Sequence, residues 1–242
     1  TMKFFDLDSP LMQVLNKVAD LLWLNILTLI CCIPIVTAGA SLTAMNYMAL
    51  KIVRNEECYI TKGFFKSFKQ NFKQATAIWL LFLLAVLGLA GDFYIVKNSG
   101  IEFNIVIKVV IGIVALILTF TWMFVFPVLA KFDNTVIRTI KNAFIMSILQ
   151  FPKTLLMIVM YALPIVIGIL VPQAFPICFL FGLSAPAYVS ALLYNKFFQK
   201  LEDQYIASTT PAEEEGAEEK DEERIFKDEL DESLIEGTKD KE

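Results

Sequence analysis

Between Ala75 and Val96 the chain runs through apolar residues in which Asp92 is the only charged side chain. At about 1.5 Å of rise per residue, such a helix covers a hydrocarbon core of about 30 Å. Four further runs are similar: Val18–Ile33, Phe103–Ala130, Thr154–Val171 and Phe175–Tyr194. Backbone in lipid has no water to bond with, so segments of this kind can only be helices or strands of a closed barrel. Continuous apolarity without period-2 alternation selects helices. The chain reads as all-α, a polytopic membrane helical bundle. Its hydrophobic fraction of 57% lies above the roughly 45–50% of soluble domains.

The piece between the first two runs, Ile35–Val53, differs. Thr37, Gly39, Ala40, Ser41 and Thr43 crowd its first half, a composition that suits close helix packing better than contact with lipid. We read it as the return arm of a hairpin turned near Pro34, with a re-entrant segment as the alternative. As a crossing it brings the total to about six transmembrane helices. The last pair, Thr154–Val171 and Phe175–Tyr194, turns at 172–174, and Pro164 and Pro186 predict local bends.

Two basic amphipathic segments separate the spans. In 62–73, Phe64, Phe65, Phe68 and Phe72 gather on one side of a helix, and Lys62, Lys66, Lys69 and Lys73 on the other. That pattern predicts a helix lying in the membrane interface over an anionic inner leaflet, each lysine contributing roughly 1 kcal/mol. In 131–153, Val136, Ile140, Phe144 and Ile148 recur every four residues while Arg138 and Lys141 point elsewhere. The two segments form a weak internal echo of the kind parallel repeats leave.

Net charge divides the chain in two. Residues 1–201 carry +8 and residues 202–242 carry −12, which together return the overall −4. The first part is the transmembrane domain. The second is an acidic tail whose composition predicts disorder, with Phe226, Leu230 and Leu234 spaced for a short helix formed on a partner, or a tether to the basic loops. With six crossings, fourteen of the sixteen cations in residues 1–201 lie on one side, against Lys97 and Lys108 on the other. The positive-inside rule then puts both termini in the cytoplasm.

Residues able to do chemistry are few. The chain has no histidine, no phosphate-binding glycine loop and no nucleophile-elbow serine. Its four cysteines have no metal-ligand spacing. Gly91-Asp92 lacks the second aspartate that an intramembrane protease needs. No catalytic, cofactor-binding or metal site is expected, and nothing indicates nucleic acid. Asp92 and Lys108, near the outer ends of their spans, form a candidate polar membrane site. The apolar run begins only near Val18 and no small-residue cleavage site follows, so a cleavable signal is not expected.

The segment Ile33-Pro34-Ile35-Val36-Thr37-Ala38-Gly39-Ala40-Ser41-Leu42-Thr43-Ala44, followed by Tyr47, Lys51, Val53 and Arg54, resembles the YesL-like family of bacterial integral membrane proteins. Phe64 to Lys73, and Phe4-Phe5-Asp6 to Pro10, extend the resemblance, which covers roughly residues 3–200. It implies a bacterial cell membrane location, no established activity and an association with carbohydrate uptake. The expected function is a non-catalytic accessory or regulatory component beside a carbohydrate ABC import system, with transporter subunits as partners. The alternative is a small permease or channel conducting a solute through its own bundle. The 131–153 loop lacks the Glu-Ala-Ala and Gly pattern of an importer's coupling segment, which speaks against a permease subunit proper. Oligomeric state is left open.

Overall fold

The structure, a computed structural model, describes residues 10–56, 59–98 and 104–209. Eight α-helices and no strands occur among them: α1 (Pro10–Cys32), α2 (Ala38–Arg54), α3 (Ile60–Asn98), α4 (Ile105–Lys131), α5 (Val136–Leu149), α6 (Phe151–Leu170), α7 (Phe175–Phe181) and α8 (Ser184–Thr209). The acidic tail from 210, with Phe226, Leu230 and Leu234, lies outside the described residues, as do residues 1–9 and Cys58.

Helix α2 is the axis of the bundle. It touches α1, α3, α4 and α8, and thirteen of its residues are buried, including Ser41, Thr43 and Asn46. A helix enclosed by protein need not be apolar, because its neighbours rather than lipid meet its polar groups. Four helices, α1 (from Leu11), α3, α4 and α6, are long and apolar enough to cross a bilayer, or five if α7 and α8 count as one bent span. The expectation of about six crossings exceeds the count of five by α2, which is shorter, richer in small polar residues and wrapped by the others, and the count of four by the bent α7–α8 pair as well.

Contacts fix the depth of the α1–α2 hairpin. Ser41 Oγ donates to the Thr28 carbonyl at 2.9 Å, setting the register of its arms. Gly39 lies against Ala75 and Trp79, and Gly63 against Met48, so α2 runs antiparallel to the first half of α3. At the tip, the Thr37 hydroxyl donates to the carbonyls of Cys31 and Pro34 at 2.6 and 2.8 Å, closing the end of α1 within a 3₁₀ turn (Ile35–Thr37). Beyond Phe82 no residue of α3 is buried, and before Phe120 none of α4 is. The arms of the α3–α4 hairpin therefore project about 24 Å past the packed region at 1.5 Å per residue. Their flanks of Leu84, Leu87, Phe93, Ile105, Val109 and Ile113 are exposed, as surfaces solvated by lipid are.

The segment 62–73 is not a separate helix lying along an interface. It is the first third of α3, a single helix of 39 residues, about 58 Å long and about twice the hydrocarbon thickness. No proline or glycine interrupts the chain between Gly63 and Gly88, so nothing ends the helix where the apolar run begins. The other amphipathic segment does form its own helix, α5, folded back on α4. Its fully buried stripe is Thr139, Ala143 and Ser147, while Val136, Ile140 and Phe144 are half-buried and Ile148 is exposed. Small residues let α5 approach closely, and the larger apolar row sits at the margin.

Candidate functional site

The charged end of the bundle, where α2, α4 and α8 finish and α3 begins, gathers the groups with chemical capacity. Helix α2 ends at Asn55, whose φ of 55° is the left-handed conformation that terminates helices. This stop leaves Arg54 pointing at α8. Its Nη1 and Nη2 donate to the two carboxylate oxygens of Glu202 at 3.1 and 2.9 Å, and its Nε donates to Asn195 Oδ1 at 2.9 Å. Lys131, the last residue of α4, reaches the same carboxylate at 3.6 Å. The three charged side chains are only 10–11% exposed. Two cations share one carboxylate, which therefore holds three helix ends together.

From the sequence, Arg54 counts only among the cations of one membrane side and in the family resemblance, and Glu202 belongs to the acidic tail. Helix α8 runs through 202 to Thr209, so a boundary at 201/202 falls inside it. A signal was present: the apolar spacing of Tyr194, Phe198 and Leu201 is continued by Tyr205, past that boundary.

A second polar device lies at the opposite end of α8. Asn25 of α1 is fully buried. Its Nδ2 donates to the Phe179 carbonyl at 2.9 Å, and its Oδ1 accepts from the backbone N–H groups of Leu183 and Ser184, both at 3.1 Å. Helices α7 and α8 meet there at a 56° bend. A break in a spanning helix frees backbone groups that lipid cannot satisfy, and one amide side chain satisfies both sides of this one. Replacing Asn25 by leucine is expected to destabilise the protein by about 1–3 kcal/mol, because two amide N–H groups lose their acceptor in a dry site. Thermal unfolding in detergent reads the loss, and hydrogen exchange localises it to Leu183 and Ser184. Unchanged protection at those two amides would refute the capping role.

Among the expected packing residues, Gly39, Ala40, Ser41 and Thr43 are buried in α2, and Thr37 closes the tip. Thr43 donates to the Gly39 carbonyl at 2.9 Å. The aromatic face of 62–73 divides. Phe64 is fully buried against the core, Phe68 is half-buried and stacks on Phe64 with centroids 6.2 Å apart, and Phe65 and Phe72 are exposed. Ser67 and Asn71, not singled out from the sequence, complete the buried stripe. Lys62, Lys66, Lys69 and Lys73 are all exposed. Asp92 and Lys108 are exposed on the projecting arms of α3 and α4, and no ion pair joins them. Among the described residues no group of acidic, cysteine or histidine side chains could hold a metal ion.

Fold and site together define a membrane-embedded helical protein organised around a buried hairpin. Residues 21–93 match the model of a family described as a protein of unknown function, DUF624. The match takes in Asn25, Gly39, Arg54, Lys62, Lys66, Lys69 and Lys73, and stops before Lys131 and Glu202. No curated protein and no solved structure matches the chain.

Proposed function

We propose that the protein is a non-catalytic, YesL-like accessory or regulatory component of a carbohydrate ABC import system. In this reading it sits in a bacterial cell membrane with both termini in the cytoplasm. The observation that carries the reading is the first third of α3. It extends beyond the apolar part of the same helix, presents Lys62, Lys66, Lys69 and Lys73 outward, and is held rigid from behind by Phe64, Ser67 and Asn71. A stiff basic helix face at the membrane surface is an interaction element, and an importer subunit with an acidic cytoplasmic face is its natural complement. The resemblance of residues 33–54 to the YesL-like family supplies the link to sugar uptake.

The test pairs two measurements. Protein reconstituted in liposomes is expected to give no sugar flux, while cross-linking from cysteines placed at Lys66 and Lys69 in native membranes is expected to capture an importer subunit identified by mass spectrometry. Sugar flux by the protein alone would replace this reading with that of a small permease. Modification of those cysteines by an impermeant reagent added outside intact cells would overturn the orientation.

A further inference from the structure

Where α1 passes the start of α3, the two helices leave a cleft of about 740 Å³, within the range of about 300–1,000 Å³ usual for small-ligand sites. Its walls are of two kinds. Lys62, Lys66 and Lys69 come from successive turns of α3, and Trp23, Tyr59 and Phe65 supply aromatic surface. The Trp23 indole N–H donates to the Thr61 hydroxyl at 2.9 Å, which fixes the ring against the opening of the cleft. Helix α3 begins here, and Gly63 N–H donates to the Tyr59 carbonyl. The N–H groups of Ile60, Thr61 and Lys62 therefore have no acceptor within their own helix. The positive end of a 39-residue helix faces the same space as three ammonium groups. Among the described residues Asp20 is the one carboxylate in the lining, and the charged side chains of those residues sum to +2.

We propose that this cleft is a discrete site for one anionic phospholipid, with the headgroup phosphate among Lys62, Lys66 and Lys69, the Trp23 ring beside the headgroup, and the first acyl methylenes running along Phe65 toward the apolar half of α3. Three features select that ligand class. The net positive charge calls for an anion. The tryptophan and phenylalanine give the amphipathic wall that suits the membrane–water boundary. Both Trp23 and Phe65 are exposed, at 47% and 39%, so the cleft is open to a ligand from outside the bundle. Asp20 is a natural acceptor for a headgroup hydroxyl and disfavours a second phosphate. The site differs from diffuse attraction to a charged surface because it has one occupant and named walls. It does not depend on an importer partner.

Native mass spectrometry of the full chain, with phosphatidylglycerol, phosphatidylethanolamine or phosphatidylcholine titrated into the detergent, tests the assignment. One phosphatidylglycerol is expected to be retained at ratios where the other two are lost. The triple variant K62Q/K66Q/K69Q is expected to weaken that retention at least tenfold, and each single variant two- to fivefold. Neutralising three exposed lysines elsewhere (K141Q/K196Q/K200Q) is expected to leave retention unchanged. Equal weakening by both triple variants would reduce the effect to general electrostatics and overturn the site, as would equal retention of the three lipids. Displacement of the lipid by millimolar inorganic phosphate would assign the lysines to a free phosphate ligand and overturn the lipid assignment.

Discussion

Replacing Glu202 by glutamine is expected to destabilise the bundle by about 3–5 kcal/mol, the range found when one partner of a buried ion pair is removed. The variant keeps the shape of the side chain and removes only its charge. What remains is the guanidinium of Arg54 and the ammonium of Lys131 in one enclosed space, with side-chain exposures of 11% and 10% and no carboxylate between them. Their mutual repulsion adds to the lost desolvation compensation, because little solvent reaches either group to screen it. The charge count supplies an internal control. Adding Lys131→Met to the Glu202→Gln variant removes one of the two unpaired cations and is expected to restore part of the loss, whereas Lys131→Met alone should be close to neutral. A double-mutant comparison of midpoint temperatures in detergent measures this. Additive effects of the two substitutions would show that the three groups do not form one electrostatic unit.

That cluster also marks where sequence reading stops. The spans α3, α4 and α6 announce themselves because apolar run length is a local property and the bilayer fixes the length required. The small-residue half of α2 was legible for a similar reason, since Gly39, Ala40 and Ser41 are too small to be explained by contact with lipid. Arg54 and Glu202 are 148 residues apart, and Asn25 and Phe179 are 154 apart. No periodicity encodes which distant turn a side chain meets. Composition even misdirects at Glu202, because the acidic run that follows makes its charge look like part of the tail. Asn25 carried a usable hint: an amide in the middle of an apolar run is costly to bury unless a backbone break elsewhere requires it. The aromatic and basic faces of 62–73 were read correctly as a helix pattern, but a hydrophobic pattern does not tell lipid from a neighbouring helix. Phe64 faces α2, and Phe65 faces outward.

Close approach of α2 to α3 underlies the packing of the whole matched region, and of the two glycines at that contact, Gly39 and Gly63, Gly39 is the tighter. A Cβ built there would lie 2.5 Å from the Ala75 carbonyl oxygen and 2.6 Å from Trp79 Cβ. Neither is the end of a flexible side chain, so relief requires the two helices to move apart. Such a shift propagates, because Trp79 packs on Trp122 of α4 with centroids 5.4 Å apart and Ser41 is bonded to α1. Gly39→Ala is therefore expected to lower stability by at least the 1–3 kcal/mol typical of overpacking, and Gly39→Leu to prevent a stable hairpin. Gly88, on the projecting half of the same α3, has nothing within 4 Å of such a Cβ. There the alanine substitution should be neutral or stabilising by up to about 1 kcal/mol through helix propensity alone. Propensity favours alanine by up to about 1 kcal/mol in the interior of α3 and by less in the first turn of α2, so a difference between the two midpoint shifts larger than that reads the steric term. Trp79 emission should move with the Gly39 substitutions and not with Gly88→Ala. If Gly39→Ala unfolds at the same temperature as Gly88→Ala, α2 and α3 do not pack at this distance, and the register that sets the hairpin's depth is wrong.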